Sequence, residues 1–323
     1  MINRIKRAIK NRVLIHGSKF VKRTLWYRNL FVDYDHERYP DNVWYRKHDE
    51  RNFDVVNLGS SGGKWAFDYE GLPVEAMNWA NQPQTLIEDF RLFKNFHSIL
   101  RKGGKVLIVI MPFTGLNKRT GVMDCLKYVP TLYWDNVDDE HIDAARRLAQ
   151  YPLLFGKPAI KAVIKHLLGR EQPPALLRGS DADENPMSPS ELEADAQRWM
   201  DGWARQFGID DFEAPLTPSN LEGRQVRIKV MRDLIDFITE RGYEPIYIIP
   251  PVASALSRRF TPKFRQLYIY DYLAQVDRKV RLLDYSTTPD FADSMFFNSF
   301  FLNLRGRKVF TQLVLEDLGL IKS

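Results

Sequence analysis

Cysteine is almost missing from this chain: Cys125 is the single one in 323 residues. One thiol excludes an intramolecular disulfide and any cysteine-rich zinc site, and it suits a reducing compartment. Long apolar runs are missing too. The longest, 106–111 and 246–249, are strand-sized, far short of the ~20 residues that span a bilayer. Lys and Arg interrupt the N-terminus too often for a signal-peptide core, so the expected location is cytoplasmic. No acidic residue precedes Asp33, yet nine cations fall there: Arg4, Lys6, Arg7, Lys10, Arg12, Lys19, Lys22, Arg23 and Arg28. The net charge of +6 therefore sits mostly in an N-terminal segment. Histidine is scarce and stops at His166.

What is present supports a sizeable core: 44% apolar residues, 13% aromatic and an ordinary 27% charged. Over residues 1–30, Ile2, Ile5, Ile9, Val13, Phe20 and Val21 recur at helical intervals among the cations, a basic amphipathic helix. Such a helix lies on an anionic membrane, here through residues 1–25 at the inner face, or it docks on its own domain. No nucleic-acid motif accompanies the charge, so no nucleic-acid partner is expected.

Short β-rich runs at 53–58, 74–79, 105–111, 245–249 and 280–284 alternate with helical patterns at 84–101, 220–241 and 262–276. A last helix over 304–315 is capped by Asn303, with Val309, Phe310, Leu313 and Val314 inward. Alternation predicts a parallel sheet: a flavodoxin-like α/β three-layer sandwich of five parallel strands in the order 2-1-3-4-5. The rhythm breaks at 114–218, a helical insertion in which Ser188-Pro-Ser-Glu191 opens a helix with a capping-box pattern. The α/β domain is expected over 50–323, with the insertion folded over its pocket edge as a lid.

In an open parallel sheet, ligands bind beyond the carboxyl ends of the strands. Asn57-Leu-Gly59-Ser60-Ser61-Gly62-Gly63 follows the first strand, which puts Ser61 at that edge. The same residues also suit a plain glycine-rich turn. Neither a Gly-x-Gly-x-x-Gly order nor a Gly-Lys-Ser/Thr is present, and Lys64 is only a superficial echo of a P-loop. No cofactor is expected.

Near the C-terminus the chain reads Asp293-Ser-Met-Phe-Phe-Asn298-Ser-Phe-Phe301-Leu302-Asn303-Leu-Arg-Gly306. With the Ser61 turn, this segment resembles the two ends of an SGNH/GDSL-type hydrolase site, of the divergent type that accompanies polysaccharide biosynthesis. The family's C-terminal block is Asp-x-x-His-Leu-Asn-x-x-Gly. Leu302, Asn303 and Gly306 are in register, but Asn298 stands at the Asp position and Phe301 at the His position. The resemblance implies Ser61 as nucleophile, with Asp293, Asn298 and Phe301 at the catalytic block. It implies a substrate or oxyanion site of Gly59, Ser60, Gly62 and Asn303, with Asn78 or Asn81 supplying an amide because Pro83 has no N–H. Phe cannot take a proton from serine, and a serine without a base is a poor nucleophile.

The implied function is a protein of bacterial cell-surface polysaccharide metabolism, of acyl-ester hydrolase or O-acyltransferase ancestry, with serine-esterase activity weak or lost. Its partner would be a glycan or acylated small molecule. The alternative is a non-catalytic, membrane-peripheral binding or scaffolding protein. A substitute base would have to come from His141 or His166 in the insertion. The acidic residues Asp135, Asp138, Asp139, Glu140 and Asp143 read as a helix N-terminus rather than a metal site. Trp65, Trp79, Trp134, Trp199 and Trp203 offer core or lid packing, or a sugar-stacking platform.

Overall fold

A computed structural model describes residues 2–31, 52–81, 84–116, 126, 128, 140–172, 187–288 and 291–322. Side chains at 2–11, 29–31 and 140–142 lie outside the description, as do Pro83, Trp134 and Asp135–Asp139. In chain order come α1 (Ile2–Val21), α2 (Leu25–Phe31), β1 (Phe53–Leu58), α3 (Ser61–Lys64), β2 (Ala76–Asn78), α4 (Leu86–Phe96) and β3 (Leu100–Val109). Then follow α5 (Glu140–Gln150), α6 (Lys157–Leu167), α7 (Pro189–Phe207), α8 (Pro218–Glu240), β4 (Glu244–Ile249), α9 (Ser254–Ser257), α10 (Pro262–Arg265), α11 (Asp271–Val276), β5 (Arg281–Asp284) and α12 (Leu304–Asp317).

The chain divides into two compact units. One comprises residues 1–40 with 120–176, the other 41–119 with 177–323. The insertion is split: its first part belongs with the N-terminus, and α7 belongs with the sheet.

In the larger unit all five strands pair in parallel, as the strand–helix alternation predicts, and in the order β2-β1-β3-β4-β5 expected of a flavodoxin-like sandwich. The central strands are buried and aliphatic: Val55, Val56 and Leu58 on β1, Val106–Val109 on β3, and Ile246 to Ile249 on β4, the signature of a sheet covered on both faces. Helices α4, α8 and α11 pack in series. On α12, Phe310 meets Phe67 at 5.3 Å and Tyr285 at 5.2 Å.

Two details differ from the sequence reading. The helix expected over 84–101 ends at Phe96 and β3 begins at Leu100, with Gly103-Gly104 inside the strand; the β1–β3 register shifts there, between Phe53 and Val55, and positive φ at Gly103 supplies the irregularity. On α12 the inward residues are Gly306, Arg307, Phe310, Thr311, Val314 and Leu315. Val309 faces out, and the close approach is at Gly306, where a Cβ would meet the Met295 carbonyl oxygen.

In the smaller unit α1 packs against α6 and the short turn Pro152–Phe155, and α2 packs against α6. Ser18, Val21 and Thr24 are buried. Trp26 stacks edge-on against Phe155 at 5.2 Å. Leu25 N–H donates to Glu171 Oε1 at 2.7 Å, and Tyr27 Oη to the Ala149 carbonyl at 3.1 Å. The N-terminal helix thus forms part of a packed helical unit. Among the described residues, no helix is long and apolar enough to cross a membrane.

Candidate functional site

The turn after β1 is built by close packing. Gly59 has φ +138°, and a Cβ there would meet Val109 at 3.0 Å. A Cβ at Gly62 would fall 2.4 Å from Met111 Sδ, and one at Gly63 2.8 Å from Ala80 Cβ. Ser60 precedes α3, and its carbonyl accepts from the Gly63 and Lys64 N–H groups, both at 3.0 Å. Ser61 starts α3 half-buried.

Beneath the turn lies a buried amide pair. Asn57 and Asn78 face each other in register across β1 and β2, and Asn57 Nδ2 donates to Asn78 Oδ1 at 2.8 Å. Asn78 Nδ2 in turn donates to the carbonyls of Gly63, Lys64 and Phe67 at 3.2–3.3 Å. Asn78 was expected to offer an amide to a substrate; its side chain instead binds the turn to the sheet. Asn81 is fully buried, and its N–H donates to the Gly59 carbonyl at 3.1 Å. It is not among the residues lining the cleft around Ser61.

That cleft measures about 250 Å³. Gly59, Ser60 and Ser61 form its floor, with Gln84, Thr85 and Asp89 from the start of α4, Met111–Thr114 after β3, and Arg227 from α8. Helix α7 closes one side with Trp199, Trp203, Gln206 and Phe207, and Phe300 joins them. Rings pack through this wall: Trp199–Phe300 at 4.9 Å, Trp203–Phe300 edge-on at 5.0 Å, Phe113–Trp203 at 5.0 Å and Phe113–Phe207 stacked at 4.9 Å.

The C-terminal block reaches the same edge of the sheet but does other work there. Asn298 Oδ1 accepts from the N–H groups of Phe300 at 2.9 Å and Phe301 at 2.8 Å, an Asx turn that shapes the loop. Phe301 is buried against Phe300 at 4.7 Å, Trp199 at 5.5 Å and Phe297 at 5.7 Å. It borders Gly62 rather than the Ser61 cleft. Asp293 accepts from Ser254 N–H and Oγ, both at 2.7 Å, and lies beside Arg258 and Glu193, away from Ser61. Asn303 caps α12 by accepting from Gly306 N–H at 2.9 Å, and its Nδ2 donates to the Ser294 carbonyl. The expected grouping of Asp293, Asn298, Phe301 and Asn303 around a nucleophile is therefore not what these side chains form. Each is engaged in shaping the loop and the helix cap.

Three residues that matter were not singled out from sequence. Asp195, buried on α7, accepts from Ser299 N–H at 2.9 Å and Ser299 Oγ at 2.5 Å, and pins the loop that carries Phe300. Asp89 is buried at the cleft. Its Oδ1 accepts from Gly59 N–H at 2.9 Å and from Gln84 Nε2 at 2.6 Å. Burial pushes this carboxyl up to about 7; the Gln84 and Gly59 hydrogen bonds oppose that rise, Glu88 adds to it, and Arg227 opposes it. Arg227, also buried, donates to Thr85 Oγ1 at 3.3 Å, and burial lowers its pKa. A signal was available for two of them: Asp89 and Arg227 each fall on the inward stripe of their helix, with Leu86, Leu92 and Phe93 on α4 and with Ile228, Met231 and Leu234 on α8. A charge on an apolar stripe is worth marking.

Asp89 and Arg227 are the ionisable side chains among the described residues that line this cleft. His97 lies just before β3, at the opposite edge of the sheet, where Tyr243 Oη donates to its carbonyl at 2.9 Å. His166 belongs to the smaller unit and contacts Glu171 Oε2 through Nδ1 at 2.6 Å. The His141 side chain, His36 and His48 lie outside the described residues. Among the described residues no group of His, Cys, Asp and Glu is arranged to hold a metal. No protein-family model matches this chain, and no curated protein matches its sequence.

Proposed function

We propose that this chain is an SGNH-like protein that takes up a glycan or its acylated derivative in the Ser61 cleft, with serine-esterase activity weak or lost. One observation carries the reading: the residues at the family's acid and base positions serve structure, Asn298 as an Asx turn and Phe301 as a buried ring. The cleft keeps what binding needs. Trp199, Trp203 and Phe300 give it an apolar aromatic wall, and Gln84, Asp89, Gln206 and Arg227 offer polar contacts. General-base help is worth roughly 10²–10⁴-fold in rate, so its loss leaves a binding site before it leaves an enzyme. That favours the non-catalytic binding protein as the second reading.

Hydrolysis of acetyl esters by the native chain, by Ser61→Ala and by Asn298→Asp with Phe301→His tests this. Turnover by the native chain at the level of Ser61→Ala is expected. Robust native turnover that disappears in Ser61→Ala would refute a lost esterase. Titration of acetylated oligosaccharides against tryptophan fluorescence tests the binding half, and Ser61→Ala should bind as the native chain does.

A further inference from the structure

Helix α6 is inside out. Its buried residues are the small Ala159 and Ala162. Its large aliphatic residues face solvent: Ile160 is 52% exposed, Ile164 52%, Leu167 71%, and Leu168, just past the end, 58%. Steps of four, three and one residue keep these four on one stripe. Lys157, Lys161 and Lys165 recur every fourth residue beside it, all exposed. No Asp or Glu occurs from Ala144 to Arg170.

The charge of the whole unit points the same way. Residues 1–40 and 120–176 hold 17 Lys and Arg against 10 Asp and Glu, a net +7, which leaves −1 for the rest of a chain whose total is +6. Within the unit a cleft of about 610 Å³ runs along α6, lined by Leu25, Trp26, Lys157, Lys161, Lys165 and Glu171.

We propose that the helical unit docks on an anionic lipid bilayer through α6, with Ile160, Ile164, Leu167 and Leu168 in the boundary between headgroups and acyl chains. Lys157, Lys161 and Lys165 then meet lipid phosphates, their stems lying along the apolar face and their ammonium groups in water. The occupant follows from the charge. A second copy of the chain would set lysines against lysines and +7 against +7. A polyanion in water would satisfy the lysines and leave four aliphatic side chains wet. An anionic bilayer satisfies both. Helix α1 adds exposed Val13 and Phe20 beside Arg12, Lys19 and Lys22, but its Ser18 and Val21 are committed to the unit's interior. The docking stripe is thus on α6 rather than on the N-terminal 25 residues alone. This inference is independent of the Ser61 reading.

Co-sedimentation of the full chain with phosphatidylcholine vesicles, and with vesicles containing phosphatidylglycerol, is the test. Binding is expected only to the anionic vesicles, and it should weaken as salt is raised above physiological strength, where screening acts within about 8 Å. Ile164→Glu/Leu167→Glu/Leu168→Glu should reduce binding at least about tenfold, with an unchanged thermal melt because all three positions are exposed. The milder Leu167→Ser/Leu168→Ser pair gives the same readout if the triple variant melts early. Lys157→Glu/Lys161→Glu/Lys165→Glu should abolish the preference for anionic vesicles. No binding by the native chain, or equal binding by variants that melt as the native chain does, overturns the proposal. So does a native dimer in light scattering that the apolar variants convert to monomer, since that would make the stripe a contact between copies.

Discussion

Helices α8 and α6 are made of similar residues and use them in opposite ways. On α8, Ile228, Met231, Leu234, Ile235 and Ile238 are buried against the sheet, together with Arg224 and Arg227. Arg224 donates to the Leu267 carbonyl at 2.6 Å and Arg227 to Thr85, so the buried cations have partners. On α6 the alanines go in, while the isoleucines, leucines and lysines stay out. Helical periodicity reports that two faces differ. Which one is buried depends on what the neighbouring elements leave room for. The sheet and α4 meet α8 on its apolar face, whereas α6 contacts α1 and α2 and buries only Ala159 and Ala162.

The sharpest break in this comparison is one substitution made at matched positions. Ile228→Glu buries an unpaired carboxylate on α8 and should cost more than about 4 kcal/mol, seen as loss of cooperative thermal unfolding. Ile164→Glu on α6 should stay within about 0.5 kcal/mol of the native chain, because the site is already wet. A large loss at Ile164 would mean that α6 is covered in the free protein.

Next in size is Gly306→Ala on α12. An added Cβ there would lie 2.2 Å from the Met295 carbonyl oxygen, so α12 or the 293–303 segment must move, at about 3 kcal/mol in denaturant unfolding. On α6, Ala162→Gly should cost only about 1 kcal/mol, through helix propensity. Similar losses at the two sites would remove the distinction between a tightly packed inner face and a thin one.

The smallest effect is on pH. Asp89 titrates near 3.8 when unfolded and near 7 when folded. The folded chain therefore holds the extra proton between those values. The associated stability is complete below about pH 4 and is lost as pH rises through about 7. Asp89→Asn keeps an oxygen to accept from Gly59 and Gln84 while removing the charge. It should flatten the stability profile between pH 4 and 7 and raise stability at pH 8 by on the order of 2 kcal/mol. An unchanged profile would show that the carboxyl is hydrated in the cleft.

The apolar run within 105–111 marked a strand by its shortness and its β-branched residues, and 106–110 are buried as in a sheet covered on both faces. Ser188 and Asn303 were legible as caps because capping is a local bond: Ser188 accepts from Glu191 N–H, and Asn303 from Gly306 N–H. The Asx turn of Asn298 is likewise local, to Phe300 and Phe301. The work done by Asn78 was not legible, since its partners, Asn57, Gly63, Lys64 and Phe67, lie 11 to 21 residues away. Asp195 was hidden for the same reason: its partner, Ser299, lies 104 residues away.

By itself, then, the sequence determined the parallel α/β sheet and its strand order, the serine turn at a strand's carboxyl edge, the caps, and the basic character of the N-terminus. Those depend on periodicity, local hydrogen bonding and chain connectivity. Only the tertiary structure decided that α5 and α6 join the N-terminal helices, that Phe300 rather than Phe301 lines the cleft with Ser61, that Asp89 and Arg227 are buried beside it, and that α6 turns its aliphatic side outward. Those outcomes depend on volume and desolvation among segments far apart in the chain, which no local pattern encodes.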